Sequence, residues 1–80
     1  MKLEKAKEIS TNLKAFLTNS FWGDVYYLLQ NQLLPEKDWE YDVYVEYHGE
    51  FNIERFSKLL NYLGGLTYTL AIPTRQIIIW

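Results

Sequence analysis

The chain has no cysteine. That excludes disulfide staples and every thiolate-bound metal, so a domain this short must stand on its apolar core alone. It has one histidine, too few for a histidine-based zinc site. Its four glycines form neither a G-x-G-x-x-G turn nor a Walker phosphate loop. A basic excess is missing as well: the net charge is −2, and a chain that grips a nucleic-acid backbone normally shows a basic face. The longest uncharged run, Leu59 to Thr74, holds Gly64, Gly65 and Pro73 and is shorter than a membrane span. Met1 to Lys14 is charged and amphipathic, without the apolar stretch of a secretory leader. These absences predict a cytoplasmic protein with no cofactor, no metal and no membrane partner.

What the chain has is aromatic side chains: three Trp, seven Tyr and four Phe in 80 residues. Each ring buries a large area, so a small core becomes feasible. A single domain spanning residues 1–80 cannot hide fourteen rings, so some of them belong to an interface. Charge is unevenly spread. Residues 1–23 are net +2, residues 24–50 set Lys37 against seven acids for a net of −6, and residues 51–80 are net +2.

Apolar periodicity assigns the elements. Leu3, Ala6, Ile9, Leu13, Phe16 and Leu17 recur at helical spacing and predict a helix over residues 3–18. Val25, Leu28, Leu29 and Leu33 give a second helical stripe, capped by Ser20 or Asp24 and ended by Leu34-Pro35. Tyr26 and Tyr27 within it also suit a strand. Asn52 reads as an N-cap, with Phe51 and Phe56 spaced as a hydrophobic staple. Ile53, Phe56, Leu59, Leu60 and Leu63 then form the inner face of a third helix, stopped by Gly64-Gly65 in a left-handed cap. Leu66, Tyr68, Leu70 and Ile72 alternate with smaller residues as a strand, Pro73-Thr74-Arg75 turns, and residues 76–80 form a last strand.

The strongest pattern is Asp38-Trp39-Glu40-Tyr41-Asp42-Val43-Tyr44-Val45-Glu46-Tyr47. Successive side chains of a strand point to opposite faces, so Trp39, Tyr41, Val43, Val45 and Tyr47 share an apolar face. Asp38, Glu40, Asp42, Tyr44 and Glu46 share the other, with neighbouring carboxylates roughly 6.6 Å apart in a regular strand. One reading is a solvated strand face whose charges also protect a sheet edge. The other is a docking surface: spaced carboxylates imitate a nucleic-acid backbone, and Tyr44 in their midst serves as an anchor.

The remaining candidates are weaker. Glu46, His48 and Glu50 would share one face if the strand continued, but Gly49 ends it, and a turn histidine between solvated acids explains the row. Ser10, Ser20 and Ser57 have no histidine at a suggestive distance in sequence. Trp22, Tyr26 and Tyr27 cluster beside Gly23 and form a second candidate interface.

The expected fold class is α+β: two N-terminal helices followed by β-α-β-β. The last strand is apolar on both sides, through Ile77 and Ile79 on one and Ile78 and Trp80 on the other, which predicts a central strand covered above and below. A right-handed crossover then makes a three-stranded mixed sheet with the acidic strand at an edge. The expected function is non-catalytic: a protein-binding module, in its sharpest form an inhibitor of a mobile-element or anti-defence kind. It would dock its acidic strand face into the basic groove of a nucleic-acid-binding enzyme. The alternative is a homodimeric or larger homo-oligomeric structural or regulatory module, joined through an aromatic surface and a sheet edge.

Overall fold

The computed structural model describes residues 1–17, 23–49 and 52–80. Helix α1 spans Leu3–Leu17, strand β1 Gly23–Leu29, strand β2 Tyr41–Tyr47 and helix α2 Ile53–Tyr62. Strands β3, Tyr68–Ala71, and β4, Gln76–Ile79, follow. The four strands form one sheet in the order β1-β2-β4-β3, and every neighbouring pair is antiparallel. The class is α+β, as the periodicity predicts, and β4 lies inside the sheet between β2 and β3.

Three corrections follow. The second helix is instead a strand, which makes the sheet four-stranded rather than three-stranded, and with β4 antiparallel to both its neighbours the sheet is not mixed. Pairing with β2 is the reason. Val25, Tyr27 and Leu29 lie opposite Val45, Val43 and Tyr41, and the valine and tyrosines suit a pleated, half-buried surface. Leu33, the last residue of the supposed helical stripe, is 90% exposed. With β1 added, the acidic strand β2 is internal rather than an edge. Finally, β4 is not covered on both faces: Ile77 and Ile79 are buried, while Ile78 is half-buried and Trp80 is 59% exposed.

Both helices lie on one side of the sheet. From α1, Ala6, Ile9, Leu13 and Leu17 are buried; from α2 and the turn after it, Leu59 and Leu63. They join Val25, Val43, Val45, Tyr47, Ile77 and Ile79 in one core cluster. Full burial of a valine, leucine or isoleucine side chain contributes about 1.5–3 kcal/mol. Val43, Val45, Ile77 and Ile79 all reach it, so the β2–β4 seam anchors the fold. The sequence stripe of α2 runs one residue too far, since Ile53 is 67% exposed. Phe16 reaches out to stack on Tyr62, with ring centroids 4.6 Å apart.

The helix ends are locally determined. Asn52 Oδ1 accepts a hydrogen bond from the backbone N–H of Arg55 at 3.0 Å, as the N-cap assignment expects. Phe51, its proposed staple partner, lies outside the described residues. At the other end α2 tightens into a 3₁₀ turn, Leu63–Gly65, and Leu66 N–H closes it on the Leu63 carbonyl at 2.8 Å. The left-handed glycine cap is absent there, because neither Gly64 nor Gly65 has a positive φ. Positive φ occurs instead at Gly49, 75°, and at Arg75, 56°. Arg75 ends the 3₁₀ turn Ile72–Thr74 that joins β3 to β4. No helix among the described residues is long and apolar enough to cross a membrane.

Candidate docking face

The second face of the sheet is open among the described residues. Every strand residue classed as buried has the parity that points toward the helices, and none of the opposite parity is buried. The register arranges the opposite parity in rows that cross the sheet. Asp24 lies opposite Glu46, and Glu46 opposite Gln76, with Ala71 completing the row. Tyr26, Tyr44, Ile78 and Thr69 form the next. Leu28 lies opposite Asp42, and the β2–β4 register, continued one residue past Ile79, sets Trp80 beside Asp42.

Within the middle row the Tyr26 and Tyr44 rings sit 5.3 Å apart at 30°. Gln76 Nε2 donates to the Tyr26 hydroxyl at 3.1 Å. Partial burial, with the nearby Glu46 carboxylate adding to it, holds the Tyr26 phenol above its ordinary pKa. Trp80 is tethered through its indole N–H to Thr69 Oγ1 at 3.2 Å. Leu28, 52% exposed, closes the outer corner.

The carboxylates expected in one row separate into different roles. Asp38 is not in a strand at all; it ends a single 3₁₀ turn, Glu36–Asp38, where Pro35 sets the chain direction. Glu40 precedes β2 and is neutralised within the chain. Its oxygens lie 3.0 Å from the Met1 amine and 3.3 Å from Lys2 Nζ. Those two partners, the amine foremost, hold its pKa below the ordinary value. Lys2 also donates to the Lys37 and Trp39 carbonyls, which fixes it there. Asp42, Tyr44 and Glu46 remain on the open face. Asp42 accepts from the neutral amide of Gln30 at 2.6 Å, and neither Asp42 nor Glu46 has an ion-pair partner among the described residues.

The second candidate cluster is divided. Tyr26 and Tyr27 are successive strand residues and therefore face opposite ways. Tyr26 joins Tyr44 on the open side, whereas Tyr27 packs on the helix-covered side with Tyr41, centroids 6.0 Å apart and edge-on. Trp22 lies outside the described residues. His48 lies just past the end of β2, on the side of Asp24 and Glu46. Its Nε2 meets Asp24 Oδ2 at 2.9 Å across the end of the β1–β2 pair, and Glu50 is outside the described residues. Among the described residues, no three of His, Asp and Glu come together as metal ligands would.

Gln76, Ile78, Trp80, Leu28 and Asp24 belong to this face but do not stand out as site residues in the sequence. Only the alternation of Asp24, Tyr26 and Leu28 with Val25, Tyr27 and Leu29 carried the signal, and it is faint because both sets are largely apolar. No known protein family, no curated protein and no solved structure matches the chain.

Proposed function

We propose that the protein is a non-catalytic binding module that docks a partner protein on the open face of its sheet. The observation that carries this reading is the face itself. Tyrosines, Ile78 and Trp80 lie beside Asp42 and Glu46, which have no ion-pair partner among the described residues, on a platform fixed from behind by the core. Tyrosine and tryptophan are typical interface anchors, and like-signed charge on one surface steers an oppositely charged partner. A basic groove of a nucleic-acid-binding enzyme is the partner surface that best suits this charge, and occupying such a groove would inhibit the enzyme. Asp42, Tyr44 and Glu46 remain the central contacts. Asp38 and Glu40 drop out, and Asp24 and Tyr26 replace them, so the charged surface is a cluster two strands wide rather than a single-file row. The cysteine-free chain fits a reducing compartment, the cytoplasm.

The test is capture of partners from lysate on wild-type protein, on Tyr44→Ala/Glu46→Lys, and on Lys7→Ala as a control on the exposed side of α1. A protein held by wild type and Lys7→Ala but lost from the open-face variant supports the reading. Retention by all three proteins refutes it.

A second reading keeps the homo-oligomer. Strand β1 is a seven-residue edge with no lysine or proline in Gly23–Leu29, and such edges are templates for pairing with another copy. Sedimentation across a concentration series decides it: a monomer at every concentration excludes this use of the edge.

A further inference from the structure

We propose that the open face selects arginine, taking an arginine-bearing segment of its partner with guanidinium planes seated on the Tyr26–Tyr44 pair. The inference rests on the protein-docking reading and adds the chemistry that is read. Three features of the face converge on it. The first is charge without a counter-charge: Asp42 and Glu46 have no cationic partner among the described residues, in contrast to Glu40, which Met1 and Lys2 neutralise. The second is position. Asp42 and Glu46 flank Tyr44 at two residues on either side, about 7 Å along the strand. Asp24 stands opposite Glu46 in register. Carboxylates therefore bracket the aromatic pair from both ends. The third is the ring system itself, tilted Tyr26 and Tyr44 with Trp80 at the neighbouring row.

A lysine ammonium would satisfy the charge alone. A guanidinium satisfies charge and rings together, because it is planar, stacks on aromatic faces and forks onto a carboxylate. A nucleic acid brings bases to stack on the rings, but its phosphates would meet Asp42 and Glu46, which have no cationic partner among the described residues, so the same face that has the rings rejects the backbone. The ligand class that fits both features is a cationic protein segment carrying arginine.

Fluorescence anisotropy of the full chain tests this, with labelled oligoarginine and oligolysine of equal length and a labelled single-stranded RNA as probes. Oligoarginine is expected to bind about tenfold or more tightly than oligolysine, the gain of stacking over charge alone. Tyr44→Leu should bring the two peptides together, Tyr44→Phe should keep them apart, and Asp42→Asn/Glu46→Gln should weaken both. Circular dichroism of each variant identifies any that fail to fold, and Tyr44→Phe keeps the comparison meaningful if Tyr44→Leu does. Equal affinity for the two peptides in wild type overturns the proposal. So does an arginine preference that survives Tyr44→Leu, or RNA binding tighter than either peptide. Failure of both peptides to bind also overturns it, while the capture experiment above still decides whether the face binds protein at all.

Discussion

Arg75 offers the sharpest test of the backbone geometry. It sits at φ 56° and ψ 46°, the left-handed region, at the start of the central strand β4. A residue with a Cβ in that conformation costs roughly 1–2 kcal/mol. Glycine escapes that cost, but its greater freedom in the unfolded chain returns about 0.5–1 kcal/mol of it. Arg75 also makes side-chain contacts. Its guanidinium lies 5.3 Å from the Tyr47 ring centroid and donates to the Gly49 carbonyl. An exposed cation–π contact contributes about 0.5–1 kcal/mol, and a hydrogen bond of this kind about 1 kcal/mol. Arg75→Ala should therefore lose about 1–2 kcal/mol, since alanine drops the contacts and keeps the strained backbone. Arg75→Gly loses the same contacts and relieves the strain, so it should lie about 1 kcal/mol above Arg75→Ala. The difference between the two variants is independent of the side-chain terms. In a domain of this size it corresponds to about 4–8 °C in Tm, well within reach of thermal denaturation followed by circular dichroism. Equal melting temperatures for the two variants would refute a left-handed Arg75.

Three other substitutions probe separate parts of the structure. Ser10 is buried on α1 and its hydroxyl has no hydrogen-bond partner among the described residues; Ser10→Ala removes that group and improves helix propensity, so urea unfolding should show a gain of about 1–2 kcal/mol. At Gly23 a Cβ would come 2.5 Å from the Glu46 carbonyl oxygen, so Gly23→Ala must push β1 off β2, and a loss of about 1–3 kcal/mol is expected in the same assay. Glu40 has its pKa depressed from the ordinary 4.5, so the folded state favours its ionised form. That stabilisation is fully present above pH 4.5 and is lost as pH falls through the lowered folded value. Glu40→Gln should lower Tm at pH 7 and converge with wild type in acid; a constant offset between the two melting curves from pH 7 to acid would contradict the ion pairs.

Elements whose apolar period had one solution were legible in the sequence. The α1 stripe, the Asn52 cap and the alternation through Tyr41–Tyr47 follow from residues that act locally or demand burial. The segment after Gly23 was not legible, because Val25, Leu28 and Leu29 satisfy a helical period while Val25, Tyr27 and Leu29 satisfy a strand, and the choice is made by β2 lying alongside. That one choice also decided the candidate site. It moved the acidic strand from the edge to the interior and parted Tyr26 from Tyr27. It also brought Asp24 to Glu46. Glu40 misled for a related reason: alternation places it on the acidic face, but its ion partners come from the far end of the chain, and no local pattern announces them. The faces of β4 were mistaken because Ile78 and Trp80 are as apolar as buried residues, although a binding surface has the same composition.

The sheet is two hairpins joined along a single line. Strands β1 and β2 are neighbours in sequence, as are β3 and β4, but β2 meets β4 only after α2 and β3 have intervened. The open face is divided by the same line, with Asp24, Tyr26, Asp42, Tyr44 and Glu46 on one half and Gln76, Ile78 and Trp80 on the other. A ligand lying across both halves would act as a clamp, slowing amide exchange at Val43, Val45, Ile77 and Ile79 on the hidden side. A ligand confined to one hairpin would leave that exchange unchanged. Protection of residues it cannot touch would thus report how far across the sheet a partner reaches.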